Sequence, residues 1–251
     1  YMTHGAKLAR EVKYVPLPDK AYVMNKEHLA KGKKGTVFGG VAEVGVKIDD
    51  LLGRESVSLD WTAITRGVQG STILVTGGGG SIGSELCRQV ARLKPAHLVI
   101  FEQSEFNLYS IELELRRTFP GLRLTALLGD IYDPVAVEQT LRTHRPALIL
   151  HAAAYKHVPM LEHQLRAAVK NNVLGTRNLA SLADRYGCNT FVMISTDKAV
   201  NPANIMGMTK RVAEIYCQNL NARSSTHYIT VRFGNVLGSA GSVIPLFQKQ
   251  I

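Results

Sequence analysis

The segment Thr76-Gly77-Gly78-Gly79-Gly80-Ser81-Ile82-Gly83 constrains the fold of this chain more than any other. It follows a short apolar run, Ile73-Leu74-Val75, and opens a stretch, Ser81 to Leu93, in which Ile82, Leu86, Val90 and Leu93 share one helical face. A strand that ends in glycines and turns into a helix brings backbone amides and a helix N-terminus to one point, which suits an anion. The glycines at 77, 80 and 83 have separable tasks. The first permits a tight turn, the second lets backbone N–H groups approach a phosphate, and the third lets the helix pack on the strand. A flexible turn would explain a glycine cluster alone. The strand before it and the helix after it make it a motif.

The pattern continues downstream as alternating apolar runs and amphipathic stretches. Strands are expected at 98–101, 122–128, 147–150, 190–194 and 228–231. Helices are expected at 106–119, 134–144 and 205–220, with a long one ending near Tyr186. Pro134 sits in the first turn of its helix, where its missing N–H costs nothing. Six apolar strands separated by helices require crossovers and a parallel sheet covered on both faces. That is an α/β fold with a doubly wound parallel sheet, a Rossmann fold, with ligands at the carboxyl ends of the strands. Residues 70–251 are assigned to it. Residues 1–69 lack sustained periodicity, carry runs such as Lys31-Gly32-Lys33-Lys34-Gly35, and read as the tail of an upstream region plus a linker.

Glu102 ends the second of these strands, within the distance from the glycines at which a ribose-binding acid is expected. Its carboxylate can accept from both ribose hydroxyls and would repel a 2′-phosphate. No Arg or Lys follows it in Gln103-Ser104-Glu105, so NAD is favoured over NADP. An exposed strand-end acid is the plainer alternative. Asp130, after the third strand, lies where an adenine amine could reach it, although aspartate is also a common turn residue. His151-Ala152-Ala153-Ala154 uses small side chains where a backbone must approach a cofactor, and packing alone would explain them equally well.

Composition narrows the partners. The net charge of +10 fits either a solvated basic surface or an anionic partner. The basic residues are dispersed rather than clustered with aromatics. That points away from nucleic acid and towards a small diphosphate-bearing substrate. Every apolar run is cut by a charge well short of a bilayer's thickness. Cys87, Cys188 and Cys217 lack metal-ligand spacing and read as buried, reduced thiols of a cytosolic domain. The chain does not begin with Met, and Gln248-Lys249-Gln250-Ile251 stops inside a helical pattern, so a fragment is expected.

The fifth strand of the sheet runs into Ser195-Thr196-Asp197-Lys198, and the next helix carries Met206-Gly207-Met208-Thr209-Lys210. A hydroxyl, an acid and an amine together at the ligand end of a sheet form the most chemically loaded cluster in the chain, although a surface ion pair looks the same in sequence. With the T-G-x-x-G-x-x-G loop, Ala152-Ala153-Ala154 and Lys210, the chain resembles the extended short-chain dehydrogenases/reductases. Met206 stands where those enzymes usually have the tyrosine of Tyr-x-x-x-Lys. A Met-x-x-x-Lys helix after Ser-Thr-Asp-Lys-Ala-Val-Asn-Pro resembles one subgroup, the large membrane-anchored UDP-N-acetylglucosamine 4,6-dehydratases of bacterial polysaccharide synthesis. Ser104-Glu105-Phe106-Asn107-Leu108-Tyr109, His151 to Pro159, Asn171 to Thr176 and Arg232 to Gly238 extend the likeness over about residues 48 to 251, starting at Ile48-Asp49-Asp50. Tyr22-Val23-Met24-Asn25-Lys26 also satisfies Tyr-x-x-x-Lys but precedes the first strand of the sheet, and is read as chance.

The resemblance implies a cycle on one bound NAD: hydride leaves sugar C4, water is eliminated across C5 and C6, and hydride returns to C6. By the same analogy Asp197 is the general acid at C6, Lys198 the base at C5, Lys210 the ribose-holding lysine, and Thr196 a partner of the C4 hydroxyl. The base for that hydroxyl is left open by Met206. Gly77, Gly80, Ser81, Ile82, Gly83, Glu102, Ser104, Asp130, Ile131, Ala152, Ala153 and Lys210 are the expected NAD contacts. Lys156 and Asn235 are expected on the UDP-sugar side, and Arg232 is either a substrate contact or a core-edge arginine. A homo-oligomer is implied, as the cytoplasmic domain of an inner-membrane-anchored protein whose membrane helices would precede Tyr1. The substrate subdomain would lie beyond Ile251. A nucleotide-sugar 4-epimerase and a non-catalytic NAD-binding module are the competing readings.

Overall fold

The structure is a computed structural model, and it describes residues 12–17, 20–25 and 60–234. The chain divides into two units, Tyr1–Val57 and Ser58–Ile251. In the first, β1 (Val12–Leu17) and β2 (Lys20–Asn25) pair as an antiparallel hairpin, which the sequence reading left without structure. Tyr22 lies on β2, so the Tyr-x-x-x-Lys match there is not on a helix.

The second unit opens with α1 (Trp61–Val68), inside the stretch read as linker. Then follow β3 (Thr72–Thr76), α2 (Ser81–Arg92), β4 (His97–Glu102), α3 (Glu105–Thr118), β5 (Leu124–Leu128) and α4 (Pro134–His144). The second half runs β6 (Leu148–His151), α5 (Val158–Glu162), α6 (Leu165–Ala168), a π-helix at Val169–Gly175, α7 (Thr176–Arg185), β7 (Thr190–Thr196), α8 (Ile205–Asn221) and β8 (His227–Phe233). All six expected strands are present and parallel, in the order β5-β4-β3-β6-β7-β8. The chain leaves β3 in one direction for β4 and β5 and in the other for β6 to β8. The reversal therefore falls between β3 and β6, where a crevice must open. This is the doubly wound Rossmann fold.

Both faces of the sheet are filled. On one, Ile73, Val75, Leu98 and Ile100 meet Cys87, Val90, Ile111 and Leu115 of α2 and α3. On the other, Leu74, Val99, Ile149, Phe191 and Met193 meet Leu141, Leu179, Ala183, Ala213 and Cys217 of α4, α7 and α8. Strands covered on both sides read as continuous apolar runs, which is why they were legible. The buried face of α2 is turned by one residue from the expected one. Gly83, Cys87, Val90 and Ala91 are inside, while Leu86 and Leu93 pack at the margin. The cause is Gly83, where an added Cβ would fall 1.9 Å from the Gly77 carbonyl oxygen, so that contact sets the rotation of the helix.

The long helix expected before Tyr186 is four pieces. Its break is stabilised by Asn172, wholly buried on the π-turn. The Asn172 amide accepts from Tyr155 N (2.8 Å) and Asn171 Nδ2 (3.0 Å), and donates to Tyr155 O (3.0 Å) and Thr209 Oγ1 (3.1 Å). One side chain thus ties the segment after β6 to α8.

Candidate functional site

Four strand ends build the crevice. It is lined by Gly77 and Gly80 after β3, Glu102 and Gln103 at the end of β4, Gly129 and Ile131 after β5, and Ala152 to Ala154 after β6. Asn107 and Asn171 complete the wall. Gly77 has φ +68°, and a Cβ there would lie 2.6 Å from Ala153 N, so the turn and the neighbouring alanines fit only without side chains. Helices α3, α4 and α8 are capped by the side chains of Ser104, Asp133 and Asn204. Helix α2 instead starts on Gly80, which has no side-chain acceptor for its first-turn amides. The loop is therefore shaped for an oxyanion. Ser81 and Ile82 form the first turn of α2 and are half-buried.

Glu102 is buried at the crevice wall, with Oε2 accepting from Gly79 N and Oε1 from Ser104 N, each at 3.0 Å. Those bonds aim the carboxylate and leave each oxygen a further lone pair for a ribose hydroxyl. Ile131 is buried in the crevice. Asp130 is exposed, and its Oδ1 closes a turn by accepting from Tyr132 N (2.9 Å).

Below the glycine turn lies a group that sequence reasoning did not single out. His151, fully buried, bonds Thr76 Oγ1 through Nδ1 (2.7 Å) and Thr176 Oγ1 through Nε2 (2.9 Å). Thr176 spends its own proton on Asn172 O (2.8 Å), so Nε2 carries the imidazole proton and Nδ1 accepts from Thr76. Burial, reinforced by the nearby Lys210 charge, pushes this histidine down to about 3. A neutral ring pins the residue that precedes Gly77.

At the end of β7 the polar cluster is assembled as expected. Asp197 Oδ1 accepts from Thr196 Oγ1 (2.9 Å) and Lys198 Nζ (3.1 Å), and Lys198 N donates to Thr196 Oγ1 (3.3 Å). The Thr196 hydroxyl, then Lys198, hold the Asp197 carboxyl below its ordinary range. The pair is open to solvent, with Asp197 more than half exposed. Gly207 admits α8 close to this turn, since a Cβ there would lie 2.4 Å from Lys198 O. Lys210, buried on α8, donates to Ile194 O (2.6 Å), and burial lowers its ammonium to about 8.

Other expected residues are placed differently. Met206 is buried against Leu161 and Ala168, with Val158 and Ile205 packed alongside, as an apolar side chain should be. Lys156 lies exposed after β6. Arg232 forks onto Glu214 through Nε (2.9 Å) and Nη2 (2.5 Å), which supports the core-edge alternative. Asn235 and Ile48 to Arg54 lie outside the described residues. Glu214 itself was missed; its signal was an acid in register with Lys210 on the buried face of α8.

The family described as "Polysaccharide biosynthesis protein" matches residues 73–251. The chain belongs to that family. The probable polysaccharide biosynthesis protein EpsC of Bacillus subtilis is 49% identical over 82% of this chain and 35% of its own length. The chain thus spans about a third of that relative. A UDP-N-acetylglucosamine 4,6-dehydratase (inverting) of Campylobacter jejuni is 32% identical over 72% of this chain and 54% of its own. A UDP-glucose 4-epimerase of Rickettsia canadensis is 33% identical over 72% and 53%. Among solved structures, Pen from Bacillus thuringiensis superposes with TM-score 0.67 at 34% identity, covering 73% of this chain and 56% of that one. DesIV, a dTDP-glucose 4,6-dehydratase from Streptomyces venezuelae solved with NAD, shares the fold at TM-score 0.61 and 22% identity, over 71% and 61% of the two chains. The family member described here is thus an extended short-chain dehydrogenase/reductase by fold and sequence. The described residues include no helix long and apolar enough to cross a membrane.

Proposed function

We propose that this chain holds NAD in the crevice between β3 and β6. We further propose that it supplies the acid–base groups of a nucleotide-sugar 4,6-dehydratase acting on UDP-N-acetylglucosamine in bacterial surface-polysaccharide synthesis. The observation that carries the reading is the Asp197–Lys198 pair, 3.1 Å apart at the carboxyl end of β7. An epimerase returns hydride to C4 and has no use for an acid beside a base. The fit of NAD is supported by the glycine contacts that a Cβ would abolish and by the buried Glu102 carboxylate at the wall.

When bound, NAD supplies a reversible hydride acceptor for sugar C4. The chain does the rest. The α2 amides and Gly80 would hold the pyrophosphate, Glu102 would accept from the ribose, and Lys210 would hold the nicotinamide ribose and add its positive charge there. Thr196 receives the C4 hydroxyl, and its bond to Asp197 offers that proton a route in place of the absent tyrosine.

In water the Asp197–Lys198 pair is ionic. Elimination needs Lys198 as the free amine, its proton having passed to solvent, while the Asp197 carboxylate takes up the C4 proton that arrives through Thr196 and so becomes the acid. Lys198 then takes the C5 proton while Asp197 gives its own to the departing C6 hydroxyl, and Lys198 returns its proton to C5 when hydride reaches C6, which restores the carboxylate and the free amine. Incubation with NAD and UDP-N-acetylglucosamine, read by mass spectrometry, tests the reading. Loss of one water supports it, a sugar of unchanged mass but inverted C4 indicates an epimerase, and no reaction indicates a binding module.

A further inference from the structure

Glu214 is the most deeply buried charge among the described residues, with no exposed surface, and its carboxylate is fully committed. Oε1 accepts from Ser195 Oγ (2.6 Å) and Arg232 Nε (2.9 Å), and Oε2 from Arg232 Nη2 (2.5 Å) and Arg211 Nη1 (3.2 Å). Burial raises its pKa, but the bonds from Arg232, Ser195 and Arg211 outweigh burial and leave it lowered, so the group is a carboxylate. A buried ion cluster is seldom a gain in stability over apolar packing, which makes its placement informative.

The placement joins three elements. Glu214 lies one helical turn beyond Lys210 on α8. Ser195 immediately precedes Thr196, Asp197 and Lys198, and it is paired across the sheet with Arg232. Two residues after Arg232, Gly234 lies against the Asp197 carboxylate, where an added Cβ would sit 3.4 Å from Oδ2. The hydroxyl of Ser195 and the fork of Arg232 thus fix the exits of β7 and β8 to the helix that carries Lys210.

We propose that Glu214 is a positioning residue that aims the Asp197–Lys198 pair relative to Lys210, and so controls elimination rather than cofactor binding. The proposal rests on the dehydratase reading for its kinetic consequence, but its geometry can be read without turnover. Glu214→Gln keeps the volume and removes the charge that holds Ser195, Arg232 and Arg211. In the NAD-loaded protein it should lower kcat about tenfold or more, the scale of misplacing reacting groups, with KM and NAD affinity within about twofold. Carboxyl-labelled aspartate NMR, with Asp197 assigned through Asp197→Asn, gives the second readout. Loosening the exit of β7 should weaken the bonds from Thr196 and Lys198 and raise the Asp197 titration midpoint by about half a unit or more.

Ser195→Ala cuts only the hydroxyl link, should shift both readouts the same way by less, and carries the test if Glu214→Gln does not fold. An Asp197 midpoint unchanged in the folded variant overturns the proposal whether or not the protein turns over. Parallel loss of NAD affinity and kcat overturns it too, since Glu214 would then only hold the fold. A shifted midpoint in a protein that never dehydrates the sugar upholds the positioning role and sinks the dehydratase reading instead.

Discussion

At the glycine loop the site is made of backbone, whereas at the end of β7 it is made of side chains. Gly77, Gly80 and Gly83 work because they have no Cβ, and the groups that hold them, His151, Thr76 and Glu102, are buried. In the proposed reaction Thr196, Asp197 and Lys198 would act through their functional groups, and Asp197 is exposed to water. The proposed cofactor half is thus set by sterics before any ligand arrives. In the proposed reaction the reacting half, the cluster after β7, would have its atoms in place but acquire its working protonation state only in the closed site. Substitutions in the two halves should therefore fail in different ways.

The largest expected effect is in the reacting half. Asp197→Asn and Lys198→Ala should each lower kcat by about 10²–10⁴-fold, the range for a general acid or base, while NAD affinity by calorimetry stays nearly unchanged. Weak NAD binding in either variant would show that the halves are not separate. Next comes Gly83→Ala, whose new Cβ would collide with Gly77 O. It should destabilise the fold by about 1–3 kcal/mol, seen as a lower Tm, and weaken NAD binding more than tenfold. A stable variant with normal binding would show that the loop is not sterically set.

Glu102→Ala should weaken NAD by about 1–3 kcal/mol and abolish its preference over NADP, by calorimetry with both cofactors. A last effect, spread over several pH units rather than read at one condition, is on pH dependence. His151 titrates at about 3 when folded against an ordinary 6.5, so folding favours its neutral form. Its contribution to stability is complete above pH 6.5 and fades as pH falls towards 3, by at most about 1.4 kcal/mol per pH unit. His97 and His144, also lowered by burial, act with the same sign. Thermal melts from pH 7 to 4 should be less steep in His151→Gln, and an unaltered slope would assign the whole effect to the other two.

The same contrast explains what was legible in the sequence. The six strands and the loop were readable because they are covered on both faces and because glycine spacing has one steric meaning. The Thr196–Asp197–Lys198 cluster was readable because its residues are consecutive. What escaped depends on contacts between distant residues. The π-turn at Val169–Gly175 exists because Asn172 bonds Tyr155 and Thr209, and no local periodicity announces that. Glu214 looked like one more polar residue on α8 until Arg232 and Ser195 met it. The three cysteines, read as buried thiols, are free and buried, with burial pushing them up to about 11 or 12.

The most direct test of the account is solvent deuterium exchange at sugar C5, followed together with reduced-cofactor absorbance after mixing NAD-loaded protein with UDP-N-acetylglucosamine. With Lys198→Ala, the account predicts that C4 oxidation still raises the absorbance while C5 exchange falls by about 10² or more. Exchange at the wild-type rate in that variant would contradict the assignment of Lys198 as the base.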